Sequence, residues 1–184
     1  MRTILPADKN GVLRQKAKEI PVSEIMSARI KTLIREMKAL LAKEEHGVAL
    51  AAPQVGEPLR LFIVSGHAIA RGSRSAPDEI QEATPLGFDR AQQDQMYINP
   101  ELLKVSRGKK EKHEGCLSIR GKWGTVPRAE KVRLSWYDER GKKFQAGFSG
   151  FLAHVFQHEM DHLEGILYID KATHVYDEKD TKHN

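Results

Sequence analysis

The chain has 184 residues, enough for one domain with a hydrophobic core and too few to predict two. Hydrophobic residues make up 40% and charged residues 30%, a balance that excludes disordered and fibrous proteins. The net charge is +5, but basic residues alternate with acidic ones along the chain, so the charge indicates a solvated surface and no specific nucleic-acid site.

The first residues, MRTILPADKN, lack the apolar segment of a secretory signal. The longest apolar run, VALAA at 48–52, is far shorter than the roughly 20 residues of a membrane helix. The single cysteine, Cys116, has no partner for an intramolecular disulfide, which is typical of a reducing compartment. We therefore expect a cytoplasmic protein without a membrane partner.

Residues 23–45 predict an amphipathic N-terminal helix that begins at Ser23, because apolar residues recur from Ile30 to Leu41 at helical spacing. LRLFIVS at 59–65 predicts a buried strand, and MYINPELLKVS at 96–106 predicts another that Asn-Pro interrupts. The segment 66–95 between them is rich in Gly, Ser, Pro and Gln, and predicts a surface insertion loop.

Apolar and polar residues alternate in KVRLSWYD, and FQAGFSG follows after a turn, so these segments predict a β-hairpin. Ser149 then begins a helix that runs to about Glu164 and stops at Gly165. These elements predict an α+β fold over residues 1–184, with antiparallel β-sheets packed around a central helix that carries HEMDH, plus the N-terminal amphipathic helix.

The motif HEMDH indicates a metal-dependent hydrolase. His158 and His162 lie one helical turn apart on the same face, while Glu159 is rotated by about 100° and reaches a nearby water. A zinc-like site usually takes a third protein ligand. Glu164 lies about 200° around the helix from the preceding ligand and points away. His174 and the thiolate of Cys116 remain as candidates.

Three segments resemble the motifs of the peptide deformylase family: GVALAAPQ at 47–54, EGCLS at 114–118 and QHEMDHLEG at 157–165. INPE at 98–101 and VPRAEKVRL at 126–134 are also similar, so the resemblance covers most of the chain outside 66–95 and the last dozen residues. It implies hydrolysis of the N-formyl group from the initiator methionine of new polypeptides, with release of formate.

The resemblance also implies the metal ligands and the catalytic groups. Cys116 becomes the third ligand beside His158 and His162, and the ion is Fe²⁺ first, with Zn²⁺, Ni²⁺ or Co²⁺ as alternatives. Glu159 transfers the proton, while the side-chain amide of Gln54 and the backbone N–H of Leu117 stabilise the oxyanion.

Further implied roles concern the substrate, an N-formyl-Met peptide or nascent chain met in transient proximity to the ribosome. The implied substrate-binding residues are Gly47, Val48, Ala49, Glu114, Phe151, His154 and Val155, with Leu117 and His158 also at the methionine pocket. The segment 47–49 would pair with the peptide as an added strand. Arg128 would support Glu114 through an ion pair, and Asp161 would accept a hydrogen bond from an imidazole.

The sequence departs from the family pattern in three places. Ala49 replaces a glycine of the first motif, His154 stands where arginine or an aliphatic residue is usual, and the 66–95 segment is long. Two other functions are considered: an endopeptidase of the HExxH type, and a non-catalytic basic module that binds at the ribosome.

Overall fold

The computed structural model describes residues 2–74 and 93–178. Within these two ranges the α-helices are α1 (Ala28–Leu41), α2 (Gly66–Arg74) and α3 (Gly150–Leu163). The strands of the same ranges are β1 (Ala49–Ala51), β2 (Leu61–Val64), β3 (Gln95–Val105), β4 (Lys109–Cys116), β5 (Ile119–Ala129), β6 (Lys131–Tyr137), β7 (Lys143–Ser149) and β8 (His174–Asp177).

The strands form two antiparallel sheets. One has five strands in the order β1-β2-β3-β6-β7, and the other has three in the order β4-β5-β8. The predicted hairpin is β6–β7, in which Phe144, Ala146 and Phe148 lie opposite Trp136, Leu134 and Val132. Mixed helices and antiparallel sheets confirm the α+β class.

Helix α3 packs on the five-stranded sheet. Its buried residues Phe156 and Leu163 belong to the same core cluster as Phe62, Tyr97 and Trp136 from the strands. The ring of Phe156 meets that of Tyr97 edge-on, with 4.8 Å between centroids. The helix ends at Leu163, and Gly165 follows with φ +74°, as the sequence predicts. The HEMDH motif therefore lies on a helix that is fixed by the core.

The N-terminal helix begins later than predicted. Ser27, not Ser23, caps α1, since its Oγ accepts a hydrogen bond from the backbone N–H of Ile30 at 3.3 Å. Ser23 lies in a separate 3₁₀ turn, Val22–Glu24. Ile25, directly after this turn, lies in the core with no exposed surface.

The prediction of a loop at 66–95 is wrong for its first nine residues, which form α2. This helix packs tightly on α3, because a Cβ added at Gly72 would lie 2.2 Å from Cγ of Leu152. Ala68 and Ile69 are buried, and Asp94 accepts a hydrogen bond from the N–H of Gly66 at the helix start. Residues 75–92 lie outside the described part of the chain. Over the described residues, no helix has the length and apolar character needed to cross a membrane.

Candidate metal centre

Cys116, His158 and His162 converge at one point. Each offers one ligand atom, and these atoms all lie within 4.8 Å of one another; Sγ of Cys116 is 3.3 Å from Nε2 of His162. Donors around a tetrahedral zinc-like ion, at their usual bond lengths, lie about 3.5 Å apart. His174 is instead exposed on β8, opposite Thr125, and does not belong to this cluster. The spacing of these donor atoms therefore fits a divalent ion, and Cys116, not His174, is the third candidate ligand.

The ladder between β4 and β5 is irregular where Cys116 lies. The pairing shifts between Glu114, opposite Gly124, and Cys116, opposite Ile119, so one residue of β4 lies against four of β5. The extra residues on β5 bend this strand locally, next to the thiol. The end of β4 thus meets α3: Glu114 and His158, 44 positions apart in the chain, are in contact here.

Glu114 is the central group behind the ligands. Its side chain is 1% exposed, and Arg128 binds it in a bidentate manner, with Nε to Oε1 at 2.6 Å and Nη2 to Oε2 at 2.9 Å. Burial raises the pKa of this carboxyl, but hydrogen bonds from Arg128, His154 and His158 outweigh burial and hold the pKa well below its usual range. Glu114 is therefore an anion that only accepts hydrogen bonds.

The charge on Glu114 fixes the tautomer of His158. Nδ1 of His158 lies 2.7 Å from Oε2 of Glu114, so Nδ1 carries a hydrogen and Nε2 is the ring nitrogen that would bind a metal. The ring of His162 is nearly perpendicular to that of His158, with centroids 4.9 Å apart. Both imidazoles thus bring a ring nitrogen close to the thiol.

The electrostatics of the pair favour positive charge at this point. Burial lowers the pKa of His158, but the Cys116 sulfur and the Glu114 carboxylate raise it well above its usual value. Burial lowers the pKa of His162 well below its usual value, and the charge of His158 lowers it further. Of the two adjacent imidazoles, His158 is therefore the one that favours positive charge.

Glu159 sits beside the ligands and is 4% exposed. Its Oε2 atom is buried and has no hydrogen-bond partner among the described residues. Burial raises the pKa of Glu159 to about 7, although the charge of His158 opposes this rise. A carboxyl with such a pKa exchanges a proton readily near neutral pH.

Gln54 faces the same thiol from the opposite side. Its Nε2 lies 3.4 Å from Sγ of Cys116 and 3.3 Å from Oγ of Ser118, while its Oε1 accepts from the N–H of Ala51 at 2.8 Å. The bond to Ala51 settles the orientation of the amide, so the NH₂ group points into the site. Leu117 follows Cys116 directly and packs partly buried against the core cluster around α1.

The segment 47–49 leads into β1, which is the edge strand of the five-stranded sheet. The N–H of Ser65 donates a hydrogen bond to the carbonyl of Val48, so the backbone carbonyl of Val48 points toward β2. In an antiparallel ladder the next residue turns its backbone groups the other way, and Ala49 therefore presents its N–H and C=O to the open edge. Ala49 has no positive φ, and Gly47 is needed for space, since an added Cβ would lie 2.9 Å from the Leu41 carbonyl.

The remaining predicted residues lie along α3. Phe151 and Val155 pack on the main core cluster, and the guanidinium of Arg71 lies 4.4 Å from the Phe151 ring centroid. Arg71 was not identified from the sequence, because it belongs to α2 within the predicted loop. His154 does not simply line a pocket: its Nε2 is 2.9 Å from Oε1 of Glu114.

Asp161 acts differently from the prediction. Its two oxygens are bound by Nη1 of Arg128 at 2.6 Å and Nζ of Lys171 at 2.5 Å, and not by an imidazole. The reason is geometric, since Asp161 and the buried guanidinium face each other across the gap between α3 and β5. Asp161 therefore supports Arg128. Lys171, which the sequence analysis missed, has no local motif that identifies it.

The comparisons with known proteins agree with this geometry. Residues 1–178 match the family model described as polypeptide deformylase. Peptide deformylase 1 of Clostridium perfringens is 38% identical over 159 residues, which cover 86% of this chain and 90% of that protein. Peptide deformylase 1A, chloroplastic/mitochondrial, of Arabidopsis thaliana is 38% identical over 165 residues, 90% of this chain, but the chain spans only 59% of its length.

The fold has solved counterparts. The crystal structure of a peptide deformylase from Legionella pneumophila superposes with a TM-score of 0.73 at 33% identity, covering 94% of this chain and 86% of the other. Because the family model spans residues 1–178 and both curated relatives are 38% identical over the aligned residues, this chain belongs to the polypeptide deformylase family.

Proposed function

We propose that the protein is a peptide deformylase, a hydrolase that removes the N-formyl group from the N-formylmethionine of newly synthesised polypeptides and releases formate. The single observation that carries this proposal is the convergence of one thiol and two imidazoles beside the buried carboxyl of Glu159, whose Oε2 has no hydrogen-bond partner within the described part of the chain. Family membership supports the same reaction. We assign it to one catalytic domain that comprises residues 1–184.

The protein depends on a metal, as its family does, and Cys116, His158 and His162 would hold the ion. When bound, a divalent ion supplies Lewis acidity toward the formyl oxygen and makes water a stronger acid. We propose Fe²⁺ as the physiological ion, with Zn²⁺, Ni²⁺ and Co²⁺ as ions that also suit these donors. A thiolate ligand to Fe²⁺ needs a reducing environment, and we therefore place the protein in the cytoplasm.

Glu159 moves the proton. In the hydrolysis of a formamide, water adds to the formyl carbon, the C–N bond breaks, and one proton must pass from water to the departing amine. The Glu159 carboxylate accepts this proton and then donates it to the nitrogen, as its pKa near neutrality allows. The charge that develops on the formyl oxygen is stabilised by Nε2 of Gln54 and the backbone N–H of Leu117.

The substrate backbone would add to the edge of β1. The outward N–H and C=O of Ala49 supply one pair of hydrogen bonds, and Gly47 and Val48 lead into this edge, where their atoms would line the bound peptide. The methionine side chain would lie along α3 near Phe151, His154 and Val155. Transient proximity to the ribosome follows from a substrate that is a nascent chain.

The decisive experiment is formate release from formyl-Met-Ala-Ser by anaerobically purified protein, with the metal content measured on the same sample. We expect stoichiometric formate and free Met-Ala-Ser. Cleavage of internal peptide bonds without formate would assign the protein to the HExxH endopeptidases instead. Tight, salt-dependent RNA binding with no formate would assign it to the non-catalytic ribosomal modules.

A further inference from the structure

His154 contacts the carboxylate behind the metal ligands in addition to lying beside the predicted methionine pocket. It lies on α3 one turn before His158, and Nε2 of His154 is 2.9 Å from Oε1 of Glu114. Nδ1 of His158 is 2.7 Å from the other oxygen, Oε2. Consecutive turns of one helix therefore hold the two oxygens of one carboxylate.

The hydrogen-bond capacity of Glu114 is completely used. An ionised carboxylate offers about four lone-pair sites and no donor. Arg128 takes one site on each oxygen, and the two imidazoles take the other two. Since Glu114 is an anion, His154 must present an N–H, and its Nε2 therefore carries hydrogen.

Burial makes this arrangement rigid. The side chain of Glu114 is 1% exposed and that of Arg128 is 4% exposed, so water does not readily replace a lost donor. Arg128 alone fixes the plane of the carboxylate along one edge. His154 supplies the opposing donor on Oε1, which balances the donor from His158 on Oε2 and resists tilting of the carboxylate toward His158.

We propose that His154 is a positioning residue for the metal centre: through Glu114 it fixes the ring orientation of His158 and thereby the direction of the His158 Nε2 lone pair. The inference deepens the proposed function, because it rests on the same metal ligands. Partners behind a metal-binding histidine commonly change metal affinity by 10- to 100-fold when they are lost. For His154, one bond further from the ion, we expect the lower end of this range.

The test uses Co²⁺ as the probe, with dissociation constants and absorption spectra measured anaerobically on the full chain. His154→Leu removes the donor and is expected to weaken Co²⁺ binding by about tenfold and to shift the ligand-field bands. His154→Gln places an NH₂ group near the position of Nε2 and is expected to restore affinity to within about threefold. His154→Asn carries the same amide too far from Glu114 and should behave like His154→Leu.

His174→Leu is the matched control, because His174 is exposed on β8 and lies away from the centre. Unchanged Co²⁺ affinity and spectrum in folded His154→Leu would overturn the proposal. Should His154→Leu fail to fold, the Gln and Asn variants decide: weaker binding by Asn supports the proposal, and equal binding overturns it. If the parent binds Co²⁺ but releases no formate, the proposed reaction fails while the role of His154 is still measured.

Discussion

The ion pair behind the metal ligands gives the largest predicted change in stability. Replacing Arg128 by Met removes a side chain that is 4% exposed and contacts both Glu114 and Asp161. Asp161 keeps Lys171 as a partner, but Glu114, at 1% exposure, retains only its two imidazoles. Breaking a buried ion pair on one side costs about 3–5 kcal/mol, since a charge is left without compensation.

Urea unfolding measures this loss as a decrease in the free energy of unfolding. In thermal unfolding, 3–5 kcal/mol corresponds to a fall in Tm of about 6–20 °C for a chain of this size. Arg128→Lys keeps the charge but cannot bind both carboxylates in the same geometry, and should fall between the parent and Arg128→Met. Arg133→Met, on the exposed face of β6, is the control and should change stability by less than about 0.5 kcal/mol.

A second substitution shows whether the loss of stability comes from the unpaired charge of Glu114 or from the lost packing of Arg128. If the unpaired Glu114 anion causes the loss, adding Glu114→Gln to Arg128→Met should recover part of it, and the two changes will not be additive. A loss below about 1 kcal/mol in Arg128→Met, or strict additivity in the double variant, would refute the reasoning.

Three further outcomes are expected. Glu159→Ala should reduce formate release by at least about 100-fold while metal content stays at the parent level, and unchanged turnover would contradict proton transfer by Glu159. Gln54→Ala should lower kcat by about 100- to 1,000-fold, and a change confined to KM would argue against a role at the oxyanion. Ala49→Gly should leave kcat/KM within about threefold and cost roughly 0.5–1 kcal/mol of stability, because Ala49 needs no glycine conformation; a large gain in kcat/KM would show that the methyl group narrows the cleft.

Local patterns in the sequence predict local structure well. The β6–β7 hairpin and the stop of α3 at Gly165 follow from alternation and from one glycine, and both are present. The start of α1 does not follow, because Ser23 and Ser27 are equally good caps by type. In the structure Ser27 caps α1, and Ser23 lies in the 3₁₀ turn before it.

In the site, too, local features were predicted from the sequence and contacts between distant residues were not. The two histidines on α3 follow from helical spacing, but the third ligand could not be chosen by spacing, since only the tertiary fold brings the end of β4 to α3. The predicted partner of Asp161, an imidazole, was wrong for a related reason. Its actual partners, Arg128 and Lys171, lie outside α3, and the sequence does not show which charged side chains meet. Helix α2 was missed because small residues and glycine predict a loop, whereas close packing on Leu152 requires them.

The three candidate metal ligands come from different secondary-structure elements, and this affects how the protein unfolds. Cys116 ends a strand of the three-stranded sheet, and the imidazoles belong to a helix packed on the five-stranded sheet. An ion bound to all three is therefore a cross-link between the two halves of the molecule. At a free concentration 100-fold above its dissociation constant, such an ion adds about 2.7 kcal/mol to the folded state. Chelation or oxidation of the thiol would then loosen the whole protein as well as stop its chemistry.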